Sequence, residues 1–565
     1  MFWRVISMTK RSSFLRYGLR SAAGLVGAGI AAAVVGFLCI VPLPGFTATA
    51  RSELITPTPA DQRLICPGGL VDVMTMAGDA TSFAAVGVPE YVTAAQDTEI
   101  TQTALQAPDN AMGNDLAAPQ QIFAPAPTAD VTPRIAGSQS QQPATENVAG
   151  LAVTACVEAA TDSWLVGGST ETGRTTLLFL SNPTLVAANV TIAVLSEKGP
   201  ITGPGSSGIL VEPSSQRIIS LASLAPNASN PVVHVTSTGG QVVATLQQSV
   251  VRTLLPDGVE LVAPGAAPNV RLVIPGVRLS GMSAQHANEG GMITSDLQPA
   301  IRVGVPGVKD AVVTVTAFGV SGDPVVVKSK VPAGRVVELP FGNLEDGIYS
   351  LVVSSTQPVV AAARAMNDAS IDPFATSTAA PTPLGSATPK PTAKPTSQPT
   401  TSRTPGALSG FDGRTSALAA FDDIGGDAPA VNPGGGSPSD GGAGSPSGSD
   451  AVGVGGDFTW SVATMPVLGD TLITVTSAPH PTLTLFNAGE ASITVGISQE
   501  GTSLSDVTVP ANGMRTVPLV AGARYVMTST AQLYASVSYA AQGLGANMPL
   551  SPASPLGSGV IIYPR

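Results

Sequence analysis

The chain has 565 residues, of which 43% are hydrophobic and only 4% aromatic, and its formal net charge is −11. This length exceeds what one hydrophobic core supports, so several domains are predicted. An acidic surface repels phosphate backbones, which argues against nucleic acid as a partner. The abundance of Val, Thr, Gly and Pro favours short strands joined by turns.

The first fifty residues predict export. Residues 1–20 carry five positive charges and no acid, and no charged residue follows until Arg51. The segment 21–44 is long and apolar enough to cross a bilayer as a helix, with its basic flank in the cytoplasm. Ala48 and Ala50 form an A-x-A pattern, so a signal peptide cleaved near Ala50 is the alternative. The length of the apolar run favours a single-pass anchor at the cell membrane, with the bulk of the chain extracytoplasmic.

Cysteine usage agrees with export. Beyond the apolar segment the chain holds Cys66 and Cys156, an even pair that an oxidising compartment would join in a structural disulfide. A catalytic thiol is the alternative, and it is disfavoured because no histidine lies near either cysteine in the sequence. Both cysteines belong to a predicted N-terminal β-region, 51–165, whose polar centre is expected to form a disordered loop.

A strand followed by a turn occurs three times in similar form, at Asn189–Gly199, Val313–Gly322 and Ile493–Gly501. In each copy apolar residues alternate with Thr, Ala or Gly, which is the pattern of a strand buried on one face. Each copy is followed by a second strand led by a proline, and then by two apolar strands around a short polar turn. The predicted turns centre on Ser237, Ser355 and Ser529.

These repeats predict an all-β fold with several immunoglobulin-like β-sandwich domains in tandem. A small sheet with one apolar face needs a second sheet to cover that face, so each unit should contain two. A propeller or solenoid is the alternative, and it is disfavoured because the copies are irregularly spaced. The predicted units span 166–262, 263–367 and 457–565.

Residues 368–456 lack this periodicity. The first part of the segment is rich in Ser, Thr and Pro, and the second part is rich in Gly and Ser. Both compositions are typical of disordered linkers. We therefore expect a spacer that holds the third unit away from the other two.

Several stretches resemble one known family. They are "LICPGG", which contains Cys66, "ACVEAATDSWLVGGSTETGRTTLLFLSNP", which contains Cys156, and the later "VTIAVLSEKG" and "VVHVTSTGGQVVATLQQ". Together they resemble a family of actinobacterial exported proteins that is defined only as a domain of unknown function. The resemblance implies an envelope location and the same Cys66–Cys156 pair, and it carries over no catalytic residues.

No catalytic, cofactor-binding or metal site is predicted. His234 is predicted to lie on the outward face of a strand, while His286 and His480 are predicted to lie in loops, and neither HExxH nor CxxC occurs. The stretch Gly203–Gly208 spells G-x-G-x-x-G, but a strand rather than a helix is predicted to follow it. We therefore expect a hairpin loop there and not a dinucleotide site.

Other candidate residues also have structural interpretations. The paired acids Glu345–Asp346 and Asp422–Asp423 fall in a turn and in the linker, whereas glycoside cleavage needs carboxylates that face each other across a rigid cleft. Trp164 and Trp460 precede repeats at similar places, which favours a role in the core over an aromatic platform for sugars. A secreted hydrolase is accordingly the weakest functional interpretation.

The sequence favours a non-catalytic, membrane-anchored protein of the bacterial cell envelope. Its expected role is that of a scaffold or accessory in envelope or glycan assembly, through contacts with envelope proteins or cell-wall glycan and without a small-molecule cofactor. A surface adhesin or glycan-binding module is the alternative, and it would present an exposed apolar or aromatic patch on one unit.

Overall fold

The computed structural model of the chain describes residues 53–55, 61–75, 81–108, 111–112, 118–126, 134–282, 298–341, 344–368, 456–499, 501–552 and 560–562. Within these ranges the protein is nearly all β, as predicted, and no helix is long and apolar enough to cross a membrane. The predicted cytoplasmic segment 1–20, the predicted membrane segment 21–44 and almost all of the predicted linker lie outside the described residues.

The N-terminal region consists of three small sheets. Its strands are β2 (Gln62–Cys66), β3 (Val71–Thr75), β4 (Thr81–Ala85), β5 (Glu90–Gln96), β6 (Thr101–Ala104), β7 (Ala111–Met112), β8 (Gln120–Ala124), β9 (Arg134–Gln141) and β10 (Ala152–Ala155). They are ordered β2-β8-β6, β3-β4-β7 and β10-β9-β5, and only the β4–β7 pair is parallel among these. A further strand, β1 (Glu53–Ile55), pairs with β34 (Val560–Ile562).

Unit one contains two sheets around an apolar core. Its elements are β11 (Asp162–Val166), β12 (Arg174–Asn182), β13 (Ala188–Ser196), β14 (Gly199–Ile201), β15 (Ile209–Val211), β16 (Ser215–Ser220), α1 (Leu221–Leu224), β17 (Val232–Gly239), β18 (Val243–Arg252) and β19 (Leu255–Val262). The first sheet is ordered β11-β17-β13-β14 with β15 also on β13, and the second is β16-β12-β18-β19. The predicted boundary at 166 therefore cuts off β11, which belongs to the first sheet.

Unit two repeats this plan. Its strands are β20 (Asn269–Leu279), β21 (Ala300–Gly304), β22 (Ala311–Gly319), β23 (Val325–Val331), β24 (Val336–Pro340), β25 (Gly347–Asp368) and β26 (Gly456–Val462). The first sheet comprises β20, β22, β23 and the first half of β25. The second sheet comprises β21, β24, β26 and the second half of β25.

Unit three repeats the plan again. Its strands are β27 (Val467–Thr474), β28 (Thr482–Asn487), β29 (Ile493–Gln499), β30 (Thr502–Val509), β31 (Gly513–Pro518), β32 (Arg524–Ala541) and β33 (Leu544–Pro549). The first sheet comprises β27, β29, β30 and the first half of β32, and the second comprises β28, β31, β33 and the rest of β32.

The three strands that define the sequence repeat occupy the same place in each unit. They are β13, β22 and β29, and each pairs with the long strand or strand pair that follows in its unit. The turn predicted around Ser237 is displaced by a few residues, because Ser237 lies inside β17 and the chain turns between Gly239 and Val243. The turns predicted around Ser355 and Ser529 are wrong, because both serines lie inside β25 and β32, which run unbroken from the first sheet to the second.

The segment after the predicted linker does not begin unit three. Strand β26 pairs with the end of β25, with Asp368 opposite Gly456 and Ala362 opposite Val462. The two ends of the intervening segment therefore meet as neighbours in one antiparallel ladder. The segment 369–455 is an insertion into unit two and not a spacer between units two and three.

The second sheet of each unit is buried on both of its faces. In unit two, Ile301 and Val303 point into the unit's own core, while Val336 and Ala362 join the core cluster of unit one. The outer face of unit one's second sheet is covered by Val71 and other side chains of the N-terminal region, and that of unit three is covered by unit two. Each unit is thus stacked on the region that precedes it in the chain.

Candidate functional site

An open cleft of about 340 Å³ lies where the N-terminal region, unit one and unit three meet. Apolar side chains from all three regions line it, and Met465 is 53% exposed there. The other apolar residues include Leu64, Ile135, Val157 and Leu472. A concave, largely apolar site with a few polar groups is the usual form of a binding site.

Few charged groups reach this cleft. They are Arg134, Glu158 and Asp162. Arg134 Nη1 lies 3.2 Å from Asp470 Oδ2, an ion pair that joins the N-terminal region to unit three. Ser477 Oγ donates a 2.6 Å hydrogen bond to Glu90 Oε1 and joins the same two regions. These polar contacts hold the N-terminal region against unit three, two of the regions that form the cleft walls.

The predicted disulfide is present and lies beside the cleft. Cys66 and Cys156 are bonded across a sequence separation of 90 residues, and both are buried. The bond joins the end of β2 to the residue that follows β10, and Cys156 also lines the cleft. Gly137 packs against it, since a Cβ there would lie 3.0 Å from Cys156 Sγ and 2.3 Å from Ile122 Cδ1.

Trp164 and His234 form a stacked pair beside the cleft. They are cross-strand partners on β11 and β17, and their ring centroids are 3.9 Å apart with planes 9° from parallel. His234 Nε2 lies 2.8 Å from Asp162 Oδ2, which holds the imidazole over the indole. Trp164 is buried, as predicted, and the imidazole covers one face of its ring.

A buried charge cluster joins unit one to unit two. Glu338 Oε1 accepts hydrogen bonds from Arg302 Nη2 at 2.8 Å and Arg364 Nη1 at 3.0 Å, and its Oε2 accepts one from Arg364 Nη2 at 2.9 Å. Arg302 Nη1 donates to the carbonyl oxygens of Gly168 and Pro231 in unit one, both at 2.9 Å. The N–H groups of Arg302 are therefore accepted on both sides of the junction, by Glu338 in unit two and by two carbonyl oxygens in unit one.

The protonation of this cluster follows from its surroundings. Burial works to raise the pKa of Glu338, but the two guanidinium groups hold that pKa below its usual value. Burial lowers the pKa of Arg302 to about 10, against the opposing effect of Glu338, so this side chain stays cationic at neutral pH. The cluster carries two positive charges around one negative charge.

Trp460 completes this junction. Arg302 lies over the Trp460 ring, with its Cζ 4.5 Å from the ring centroid. Trp460 Nε1 donates a 2.8 Å hydrogen bond to Gln248 Oε1 in unit one. Trp460 is buried, as predicted, but it lies on the last strand of unit two. Trp164 lies on the first strand of unit one, so the two tryptophans do not occupy equivalent positions.

A second buried acid lies where all four regions meet. Asp457, on β26, accepts backbone N–H bonds from Leu151 at 2.9 Å, Gly545 at 3.2 Å, Val259 at 3.3 Å and Phe458 at 2.9 Å. These donors belong to the N-terminal region, unit three, unit one and unit two. One carboxyl group thus links every part of the described chain other than the β1–β34 pair.

Two glycines make room for this carboxyl group. Gly150 and Gly258 have φ of +137° and +112°, and a Cβ at either position would lie 2.7 Å from Asp457 Oδ1. The backbone conformation and the close approach both require glycine. The four-way contact therefore depends on residues from three separate parts of the sequence.

Glu260 lies near Asp457 and is fully buried. Its Oε1 accepts a 3.2 Å bond from the N–H of Leu261, and its Oε2 has no hydrogen-bond partner among the described residues. Burial raises the pKa of both acids, and at Asp457 the four N–H donors oppose that rise. The nearby carboxyl group of Asp457 adds to the rise in the pKa of Glu260.

The structure places the remaining sequence candidates apart from one another. His480 Nδ1 lies 3.1 Å from the carbonyl oxygen of Ala540, and Glu345 and Asp346 are exposed next to β25. Gly203–Gly208 lies in the connection between β14 and β15, and a strand follows it, as predicted. The predicted hairpin is wrong, because β14 and β15 both pair with β13 and not with each other. His286 and the Asp422–Asp423 pair lie outside the described residues. In the described ranges no group of three or more His, Cys, Asp or Glu side chains could hold a metal ion.

Sequence reasoning missed the charge cluster and Asp457. A signal for them exists, since Arg302 interrupts "AIRVGV" and Arg364 interrupts "AAARAM", where alternation alone predicts strands buried on one face. A charged residue within an otherwise apolar strand indicates a second, polar contact on the opposite face. That contact could not be assigned to unit one before the packing of the units was known.

The family model that matches this chain covers residues 111–408, and it is described as a family of unknown function. The chain belongs to that family, DUF5719. The match spans part of the N-terminal region, unit one and the described part of unit two up to Asp368. It therefore includes the Arg302–Glu338–Arg364 cluster and stops before Asp457.

The DUF5719 chain shows only weak likeness to solved structures. A crystal structure of Thermotoga maritima 1070 is 18% identical, with a TM-score of 0.15, over 18% of this chain and 81% of that one. The Anabaena sensory rhodopsin transducer is 19% identical, with a TM-score of 0.14, over 17% and 93%. A tetra-tandem repeat from the extending region of a large adhesion protein is 12% identical, with a TM-score of 0.10, over 83% and 92%. These scores bear on neither fold nor function, and no curated protein matches the chain.

Proposed function

We propose that this DUF5719 protein is a non-catalytic, membrane-anchored scaffold or accessory of the bacterial cell envelope that holds a protein partner in its cleft. The observation that carries the proposal is the cleft itself, an apolar site built from three regions whose relative positions are fixed by buried polar contacts. A preorganised site of this kind loses little conformational entropy on binding. The disulfide supports an extracytoplasmic location, because such bonds persist in oxidising compartments.

We also infer that the three units are immunoglobulin-like sandwiches. In unit one β14 and β15 both pair with β13 and together take the place of one strand. Counted in this way, the second strand pairs with the fifth, β12 with β16, and the third pairs with the sixth, β13 with β17. The same pairings recur as β21–β24 and β22–β25 in unit two, and as β28–β31 and β29–β32 in unit three. They correspond to the B–E and C–F pairs of that fold.

The burial of Trp164, the tryptophan that lines the cleft, favours a protein partner over a glycan. Sugar-binding platforms need an exposed aromatic face, but Trp164 is buried and His234 covers one face of its ring. The half-exposed Met465 and the partly buried Leu472 instead offer flexible and branched aliphatic contacts, which suit an apolar side chain of a protein. Glycan binding is therefore the alternative, and the experiment below distinguishes it from protein binding.

The experiment is crosslinked affinity capture of the full chain from its own cells, with Met465→Glu compared to Leu468→Glu. Both side chains are more than half exposed and close in sequence, but only Met465 lines the cleft. We expect Met465→Glu to reduce recovery of envelope proteins at least tenfold, and Leu468→Glu to leave it unchanged. Equal recovery with both variants, or recovery of polysaccharide without protein, would overturn the proposal.

A further inference from the structure

We propose that strand β23 of one copy of this protein pairs with strand β30 of a second copy. Strand β23 is an edge of the first sheet of unit two and pairs only with β22 among the described strands. Val325, Val326 and Val327 are exposed on it, with Val326 at 60%. An exposed apolar edge strand presents unpaired backbone groups and is a site for pairing with another strand.

Strand β30 is the equivalent edge in unit three. It pairs only with β29 among the described strands, and Leu504 is 53% exposed on it. The two edges thus have the same place in equivalent sheets, but they differ in charge. Strand β23 carries the exposed Lys328, whereas β30 carries the exposed Asp506.

One antiparallel register satisfies both the charges and the faces of the two strands. Val327 faces the core side of its sheet, across from Val315, and Val507 faces the core side of its own, across from Val495. If Val327 lies opposite Val507, then Lys328 lies directly opposite Asp506, both on the outer face. Opposite charges at such positions stabilise a strand pair, and like charges destabilise it.

The same charges select against other pairings. Two β23 strands would bring Lys328 and Lys330 close to their counterparts, which is how lysines usually protect an edge strand. Two β30 strands would likewise bring their aspartates together. Because β23 and β30 are different surfaces, the contact is heterologous, and each copy keeps one free edge. The expected product is a head-to-tail chain of copies.

The first test is sedimentation of the full chain in detergent, with Lys328→Glu, Asp506→Lys and the double variant. We expect the wild type to associate with concentration, and each single variant to associate roughly threefold to tenfold more weakly. The double variant should regain the association, because it restores opposite charges in reversed order. A wild type that stays monomeric over the whole concentration range, or a double variant as weak as the singles, would overturn the proposal.

The second test identifies the strands that meet. In a Cys39→Ser background, Lys328→Cys protein is mixed with Asp506→Cys protein under mild oxidation. We expect a disulfide-linked dimer from the mixture and far less from either variant alone. Crosslinking of Lys328→Cys with itself would show β23 self-pairing and overturn the heterologous contact, as would failure of the mixture to crosslink.

Discussion

The junction between units one and two differs in chemistry from the junction between units two and three, although the same sheet positions form both. Arg302 lies opposite Glu338 on the outer face of unit two's second sheet, and this charged pair meets unit one. The equivalent pair in unit three is Thr484 opposite Thr516, and it lies near Phe486 on a face that meets unit two. Unit one carries Phe179 opposite Ile218 there, against the N-terminal region.

This difference shows that the three repeats share one fold but differ in the residues that contact the neighbouring region. The alternating residues that face each unit's own core stay apolar in all three copies. The residues between them change from aromatic and aliphatic to charged and then to hydroxylated, according to the neighbour that covers them. The chemistry of each junction is therefore what distinguishes one unit from another and fixes their order.

The largest effect is expected at the charged junction, from Glu338→Gln. The substitution leaves two buried guanidinium groups without their counter-charge, so we expect a loss of about 3–5 kcal/mol in the free energy of unfolding. Denaturant unfolding measures it, with the exposed Glu345→Gln as the control. A loss below about 1 kcal/mol would mean that the cluster does not hold the junction together.

Asp457→Asn is expected to cost somewhat less, about 2–3 kcal/mol. An asparagine amide has one acceptor oxygen, so its NH₂ group would face N–H donors that now bond to the carboxylate. Since those donors come from four regions, the loss should appear as separation of the units, detectable as faster limited proteolysis. The exposed Asp323→Asn is the matched control, and equal proteolysis of the two variants would contradict the four-way role.

At Glu260, which lies near Asp457, we expect a contribution to the free energy of unfolding that depends on pH. Burial raises the folded-state pKa of Glu260 above its usual value of 4.5, so the folded state binds this proton more tightly. The associated stability is fully present below pH 4.5 and is lost as the pH rises through the folded-state pKa, by at most about 1.4 kcal/mol per pH unit. Glu260→Gln should reduce this slope in plots of unfolding free energy against pH and leave the contribution of Asp457, whose pKa burial also raises. An unchanged slope would place the proton elsewhere.

The sequence predicts the strands that form each unit's own core, but it does not predict the contacts between units. The alternation around Val190, Val313 and Ile493 identified β13, β22 and β29, because the residues on the core face of a strand are apolar and recur at every second position. The membership of β26 could not be found in this way, since its partner in β25 is separated from it by the whole insertion. The cleft was equally inaccessible, because its walls come from three distant regions and no local motif marks it.

The smallest effect is expected at the junction between units two and three, from Phe486→Leu. Phe486 packs against Phe318 of unit two, with ring centroids 5.2 Å apart and planes at 47°. Losing this aromatic contact, while most of the apolar volume is kept, should cost about 1 kcal/mol in the free energy of unfolding. A double-mutant cycle with Phe318→Leu isolates the pair, and we expect a coupling energy of about 0.5–1 kcal/mol. Zero coupling would mean that the two rings do not meet across the junction. A coupling as large as the loss from Glu338→Gln would mean that the two junctions differ in chemistry but not in strength.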